Sequence, residues 1–136
     1  MLNSAELARL ETFLDPSWIV VVATIGRDGM PHLTPNWYVF EDGRVAVSTT
    51  KETVKYTNLS RDGRVSLCVN TEPRAKEYTT IRGEAEILDD ESIWPITRHI
   101  VERYMSSDKV EEQMAMLRKQ NRVIVSVKPD RVTFRY

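Results

Sequence analysis

With 136 residues, 41% of them apolar, the chain is sized for one domain over residues 1–136 with a core of its own. Its 19 basic and 20 acidic side chains leave a formal charge of −1, which excludes the strong basic field that holds nucleic acid or an anionic membrane surface. A single cysteine, Cys68, rules out an internal disulfide framework. No basic leader and no run near the roughly 20 apolar residues of a membrane span is present, so a cytoplasmic setting is expected.

In chain order, Asn3 or Ser4 can cap a first helix, with Glu6 at capping-box distance from Asn3. Leu7, Leu10 and Leu14 form its apolar stripe, and Asp15–Pro16 ends it. Trp18–Ile25 (WIVVVATI) is apolar at both parities and predicts a strand buried on both faces. A GRDG turn leads to a second strand, Met30–Phe40, and EDGR to a third, Val45–Thr50. A short helix over Lys51–Ser60 stops at RDG. Val65–Asn70 predicts the fourth strand, and Glu77–Ile87 the fifth, with Ile81, Gly83, Ala85 and Ile87 on one face. Ser92 is the expected cap of a helix striped by Ile93, Ile96, Ile100 and Tyr104, with Pro95 tolerated in its first turn. Val110, Met114 and Leu117 mark one more short helix. Asn121–Tyr136 closes the chain as a long strand kinked near Lys128–Pro129.

Short strands joined by DG turns, with few helices, favour a small closed or split barrel; a sandwich is the competing architecture. Gly26 and Gly29 belong to a hairpin turn and not to a dinucleotide-binding glycine fingerprint.

Dedicated catalytic groups are hard to find. Two histidines and one cysteine match no metal-ligand spacing, and no nucleophile elbow surrounds a serine. His32 reads as a packed or surface histidine, Cys68 as a core thiol, and Asp89–Asp90 and Glu111–Glu112 as helix-start charges. The segment Ser48-Thr49-Thr50-Lys51, with Lys55 a turn later, is different. A helix N-terminus, neighbouring hydroxyls and a lysine able to bend back suit a phosphate. The alternative is a helix capped by Thr50 with both lysines in water, and local physics leaves the two readings even. Pro35, within an otherwise strand-like run, adds an interruption or an edge. Backbone groups freed there, with Thr34, Asn36 and the flat ring of Trp37, could receive a heterocycle whose phosphate sits at the Thr49–Lys55 corner.

These residues resemble a known family. In order, they are Ala23–Ile25, the turn Asp28–Pro31, Ser48–Thr50, Lys55, Asn58–Leu59, the turn Arg61–Arg64 and Val65–Leu67. That order and spacing is similar to the pyridoxamine 5'-phosphate oxidase-like split barrels, and especially to their small F420-dependent branch with FMN-binding relatives. The resemblance is densest over Trp18–Val69 and continues through IRGEAEI and RVIVSVKPDRV. It implies a split β-barrel of about six or more antiparallel strands with a few short flanking helices. It also implies a homodimer with the cofactor, F420 or alternatively FMN, at the subunit interface. By position, Leu33, Thr34, Pro35 and Asn36 would line the ring edge, Ser48 and Thr49 the ring and ribityl chain, and Thr50 and Lys55 the phosphate. Lys51, Arg61 and Arg27 could serve an anionic F420 tail, and Tyr78 could reach the cofactor of the other subunit. Asn58, Leu59 and Arg64 would be scaffold.

Two departures set expectations for activity. Leu33–Tyr38 contains neither of the two basic residues that pyridoxamine phosphate oxidases carry on the second strand, and their Arg- and His-bearing C-terminal segment has no counterpart after VTFRY. Oxidation of pyridoxamine phosphate itself is therefore not expected. The expected function is hydride transfer from F420 or FMN to a small organic substrate, with no catalytic residue assigned and no metal. A barrel that holds flavin or heme without turnover is the alternative.

Overall fold

The structure is a computed structural model in which residues 1–135 are described; Tyr136, expected at the end of the last strand, lies outside the described residues. Helix α1 (Ser4–Leu14) starts on a complete capping box: the Asn3 side chain accepts from the Glu6 amide and Glu6 returns the bond to the Asn3 amide. Its stripe is narrower than expected. Leu10 and Leu14 are fully buried, whereas Leu7 faces solvent.

Seven strands follow: β1 (Val20–Ile25), β2 (Pro31–Asn36), β3 (Val39–Glu41), β4 (Arg44–Thr50), β5 (Arg64–Asn70), β6 (Tyr78–Leu88) and β7 (Arg122–Arg135). They form one antiparallel sheet in the order β2-β1-β5-β6-β7-β4-β3, curled into a half-barrel. Its concave face holds Val20, Val22, Val45, Val47, Leu67, Ile81, Val125 and their neighbours, closed off by Leu10 and Leu14. Two features drive the curl. The hairpin β3–β4 turns on Asp42 (φ 54°) and Gly43 (φ 72°), both left-handed, which matches the twist of the flanking strands. On β6 the register slips between Arg82 and Gly83, which pair with Arg131 and Pro129 and leave Asp130 over. A Cβ on Gly83 would stand 2.3 Å from the Lys128 carbonyl oxygen, so only glycine allows this approach. The kink expected near Lys128–Pro129 is this bulge.

Three expectations are corrected. The second strand is not continuous over Met30–Phe40: it ends at Asn36 and β3 begins at Val39. The break is at Trp37–Tyr38, because Tyr38 turns fully inward and sets its hydroxyl 2.8 Å from the Leu14 carbonyl oxygen. Pro35 lies inside β2, which tolerates it because β2 is the sheet edge and pairs only with β1. Second, β1 is buried on one face only. Val20, Val22 and Thr24 are buried, while Val21, Ala23 and Ile25 are half-exposed on an outer face that no helix covers. Third, helix α2 runs over Val54–Arg61 with Thr53 as its cap, not Thr50. Thr50 is still paired with Arg122 in the β4–β7 ladder, so the chain must turn before it can coil.

Helices α3 (Ile93–Tyr104) and α4 (Val110–Leu117) cover the other side of β3, β4 and β7 through Ile93, Ile100, Val101, Met114 and Leu117. Ser92 precedes α3 but its hydroxyl bonds Asp90 instead of capping the helix. Arg103 ties α3 to α1. Its guanidinium donates to the carbonyls of Tyr38, Leu14, Asp15 and Pro16, and lies 4.9 Å from the Tyr38 ring centroid. Three of these, Leu14, Asp15 and Pro16, are at the end of α1, where carbonyls lack partners within the helix.

Candidate functional site

The segment Ser48–Lys55 is shaped by the end of β4. Alternation along the strand turns Thr49 inward, to 3% exposure, and leaves Ser48 and Thr50 on the side facing α3 and α4. The Thr49 and Thr53 hydroxyls meet at 3.0 Å, and Thr53 donates to the Thr50 carbonyl at 3.0 Å. These hydroxyls build the turn and the cap of α2. Lys55, in the first turn of that helix, then reaches across the opening of the half-barrel to the inner face of β2. Its ammonium donates to Asn36 Oδ1 at 2.6 Å and Thr34 Oγ1 at 3.1 Å. Asn36 is held in place by its own bonds to Thr34 O (2.7 Å) and Thr34 Oγ1 (3.0 Å).

Lys55 is only 5% exposed, yet it has no ion pair with any carboxylate among the described residues. Burial pushes its pKa below the usual lysine value, and the nearby Arg122 guanidinium adds to that shift. Two of its three N–H donors are used, which leaves one for a ligand. A buried ammonium is costly unless a negative group completes it. The site therefore fits an anion such as a phosphate.

Beside this network opens a cleft of about 260 Å³ between the end of β2 and helices α3 and α4. Pro35, Trp37, Ile100 and Leu117 give it apolar walls; Asn36, Ser48, Gln113 and Arg122 give it polar ones. The Trp37 ring is 39% exposed and stacked on Tyr104 at 5.0 Å and 5°. A shallower depression of about 420 Å³ lies on the outer face of the sheet, bordered by Ile25, Pro31, Arg64, Arg82 and Asp130. It touches none of the residues around Lys55, and its charges are of both signs. The sequence-predicted site residues gather at the smaller cleft.

The structure sorts the expected site residues into three groups. Thr34, Asn36 and Lys55 are joined by hydrogen bonds, and Pro35, Asn36 and Ser48 line one cleft. Thr49 and Thr50 stand beside them at the end of β4, just before the turn into α2. Leu33 points away, 60% exposed on the outer face of β2. Of the cations expected to serve a cofactor tail, Lys51 is paired with Asp89 at 2.6 Å and Arg61 donates to the Ile25 carbonyl at 2.6 Å. Both are engaged within the chain, whereas Arg27 is exposed and stays open to that role. Asn58 bonds Thr24, Leu59 is core and Arg64 pairs with Asp62, as scaffold residues do. Arg122 and Gln113 are new to the site. They lie far along the chain, and only the pairing of β7 with β4 and the packing of α4 bring them in.

A curled antiparallel half-barrel with a cation-bearing cleft at its open edge defines the split-barrel class. Residues 7–136 match the family model described as pyridoxamine 5'-phosphate oxidase, and the chain belongs to that family. Flavin-type oxidoreductases are among its members, together with relatives that are not enzymes. Among solved structures, the conserved hypothetical protein Rv2991 from Mycobacterium tuberculosis aligns with a TM-score of 0.82 and 27% identity, over 98% of this chain and 84% of that one. An F420 reductase aligns with a TM-score of 0.72 and 22% identity, over 90% and 94% of the two chains. General Stress Protein 26 from Bacillus anthracis str. Sterne aligns with a TM-score of 0.69 and 17% identity, over 94% and 92%. At those lower identities the likeness is one of fold. No curated protein sequence matches the chain.

Proposed function

We propose that the protein is an oxidoreductase that binds F420, or alternatively FMN, and uses it to deliver hydride to a small organic substrate. The observation that carries this reading is Lys55: a buried ammonium with no counter-charge and one unused donor, fixed by Asn36 and Thr34 at the open edge of the half-barrel. In this reading Lys55 holds the cofactor phosphate, with the Thr49–Thr53 turn beside it. Backbone groups of Leu33–Asn36 border the ring. The cofactor, when bound, supplies the hydride; the chain's residues bind, orient and exclude water. That division of labour suits a cleft without carboxylate, histidine or cysteine among its lining residues. Leu33–Tyr38 carries no basic residue, which speaks against oxidation of pyridoxamine phosphate itself.

The working unit in this proposal is a homodimer. β1 is apolar on both faces, but one chain buries only one of them. Pro31, Leu33 and Pro35 continue the uncovered outer face, Leu33 at 60% exposure. A second copy covering it would bring Leu33 and the β2 backbone to a shared cofactor.

Absorbance titrations of the purified protein with F420 and with FMN, alongside light scattering for its mass, test this. Saturable binding of F420 in preference to FMN by a dimer is expected. Binding of neither cofactor would sink the reading, and tight binding without turnover would reduce it to a cofactor-holding barrel.

A further inference from the structure

We infer that Arg122 and Gln113 form an oxyanion-recognition point on the helix-facing side of the cleft, where a small planar carboxylate lies against Trp37 and Ile100. That this carboxylate is the substrate rests on the redox reading above; the anion point itself does not.

Arg122 opens β7, opposite Thr50, and its guanidinium is half-buried. Only neutral groups touch it: Nε donates to Gln120 Oε1 at 2.8 Å, and Nη1 reaches Ser48 Oγ at 3.5 Å. No carboxylate pairs with it among the described residues. A guanidinium has five N–H donors in a planar fork that matches a carboxylate bidentately, and most of them are unspent here. Gln113, on α4, lines the same cleft, and its side-chain amide has no hydrogen-bond partner among the described residues. A second cation, Lys55, stands close enough to act on it electrostatically, and burial lowers the Arg122 pKa. Two like charges held together in a partly apolar cleft are unfavourable until a negative ligand arrives.

The two cations are not redundant. Lys55 serves the barrel-facing side through Thr34 and Asn36, whereas Arg122 serves the helix-facing side through Ser48. Beside the polar groups, Pro35, Trp37, Ile100 and Leu117 give the cleft an apolar side on which a ring or conjugated chain can lie. The cleft's volume of about 260 Å³ limits that body to a single ring or a short chain.

Benzoate and its neutral analogue benzamide are the probes, titrated calorimetrically into the full chain without cofactor. Wild type is expected to bind benzoate saturably, at least roughly tenfold more tightly than benzamide, and Arg122→Gln to erase that preference. Arg122→Lys, which keeps the charge but loses the fork, should cost several-fold and Gln113→Leu less; Lys55→Met, which removes only the neighbouring charge, should cost less than Arg122→Gln and leave benzoate preferred over benzamide. Circular dichroism checks each fold, and Arg122→Lys decides if Arg122→Gln does not fold. Equal binding of the two probes, or benzoate affinity untouched by Arg122 substitution, overturns the inference. FMN and riboflavin, which differ by the phosphate, separate it from the cofactor reading. If Arg122→Gln rather than Lys55→Met removes the FMN advantage, Arg122 holds the cofactor and the inference fails while the cofactor reading stands. If benzoate binds and neither F420 nor FMN does, the anion point stands and the cofactor reading falls.

Discussion

Arg103 and Arg122 are both half-buried arginines without a carboxylate partner among the described residues, and they are opposite in kind. Arg103 has its fork filled by four backbone carbonyls and its face set against Tyr38. Arg122 has a glutamine amide and a distant serine hydroxyl. The lysines of the α2 region divide the same way: Lys51 is neutralised by Asp89 at the surface, while Lys55 is buried with only neutral partners. Sequence position does not separate these pairs. What separates them is whether the fold itself completes the cation. Completed cations are scaffold; in the proposed reading, incomplete ones mark where a ligand binds.

The largest expected effect breaks the completed side. Arg103→Ala removes four hydrogen bonds, and the Leu14 and Pro16 carbonyls keep only their other donors, so it should destabilise the fold by about 2–4 kcal/mol, lowering the melting temperature by roughly 10 °C in calorimetry. A melting temperature within error of wild type would end the distinction drawn here. Next, Lys55→Met should reduce F420 or FMN affinity about 10- to 100-fold, without lowering the melting temperature of the cofactor-free protein, since it removes a desolvated charge. Thr53→Ala, which removes the α2 cap, should cost about 1 kcal/mol by denaturant titration.

The pH dependence sharpens the same contrast. With its folded pKa lowered, Lys55 loses its proton at a lower pH than an ordinary lysine, and affinity for the anionic cofactor should fall in that range. Stability of the cofactor-free protein should rise with pH between that lowered value and the unfolded lysine value, because the unfolded chain binds more protons there. Lys55→Met abolishes both trends. Smallest of all, Lys51→Ala should change neither melting temperature nor affinity measurably, since its ion pair with Asp89 is at the surface.

Much of the fold was legible where the signal is local. The Asn3–Glu6 capping box, the DG turns and the alternation of Val65, Leu67 and Val69 each depend on neighbours a few residues apart, and the structure has them all. The family resemblance gave the barrel. The misread helix start had a specific cause: three hydroxyls in a row offer equal caps, and only the β4–β7 ladder, which keeps Thr50 extended, hands the cap to Thr53. The strand break was displaced for a similar reason, since Pro35 looked like the interruption while Tyr38 made it through a contact with Leu14. In the cleft, Asn36 and Lys55 were each legible as site residues, but the bond between them was not, because β3 and β4 separate their elements in the chain. Arg122 opens an unremarkable apolar strand, and nothing local sets it apart from Arg131 or Arg135 on the same strand.

The bonds from Arg103 to Leu14, Asp15 and Pro16 span nearly ninety positions of chain and join the last turn of α3 to the last turn of α1. Ser17 answers with a bond to the Arg103 carbonyl. The end of α1 therefore has no permanent dock until α3, nearly ninety positions later, has been made. Once seated, the two helix ends should shed their amide protons to deuterium in step, as one cooperative unit, because neither end can open without releasing the other.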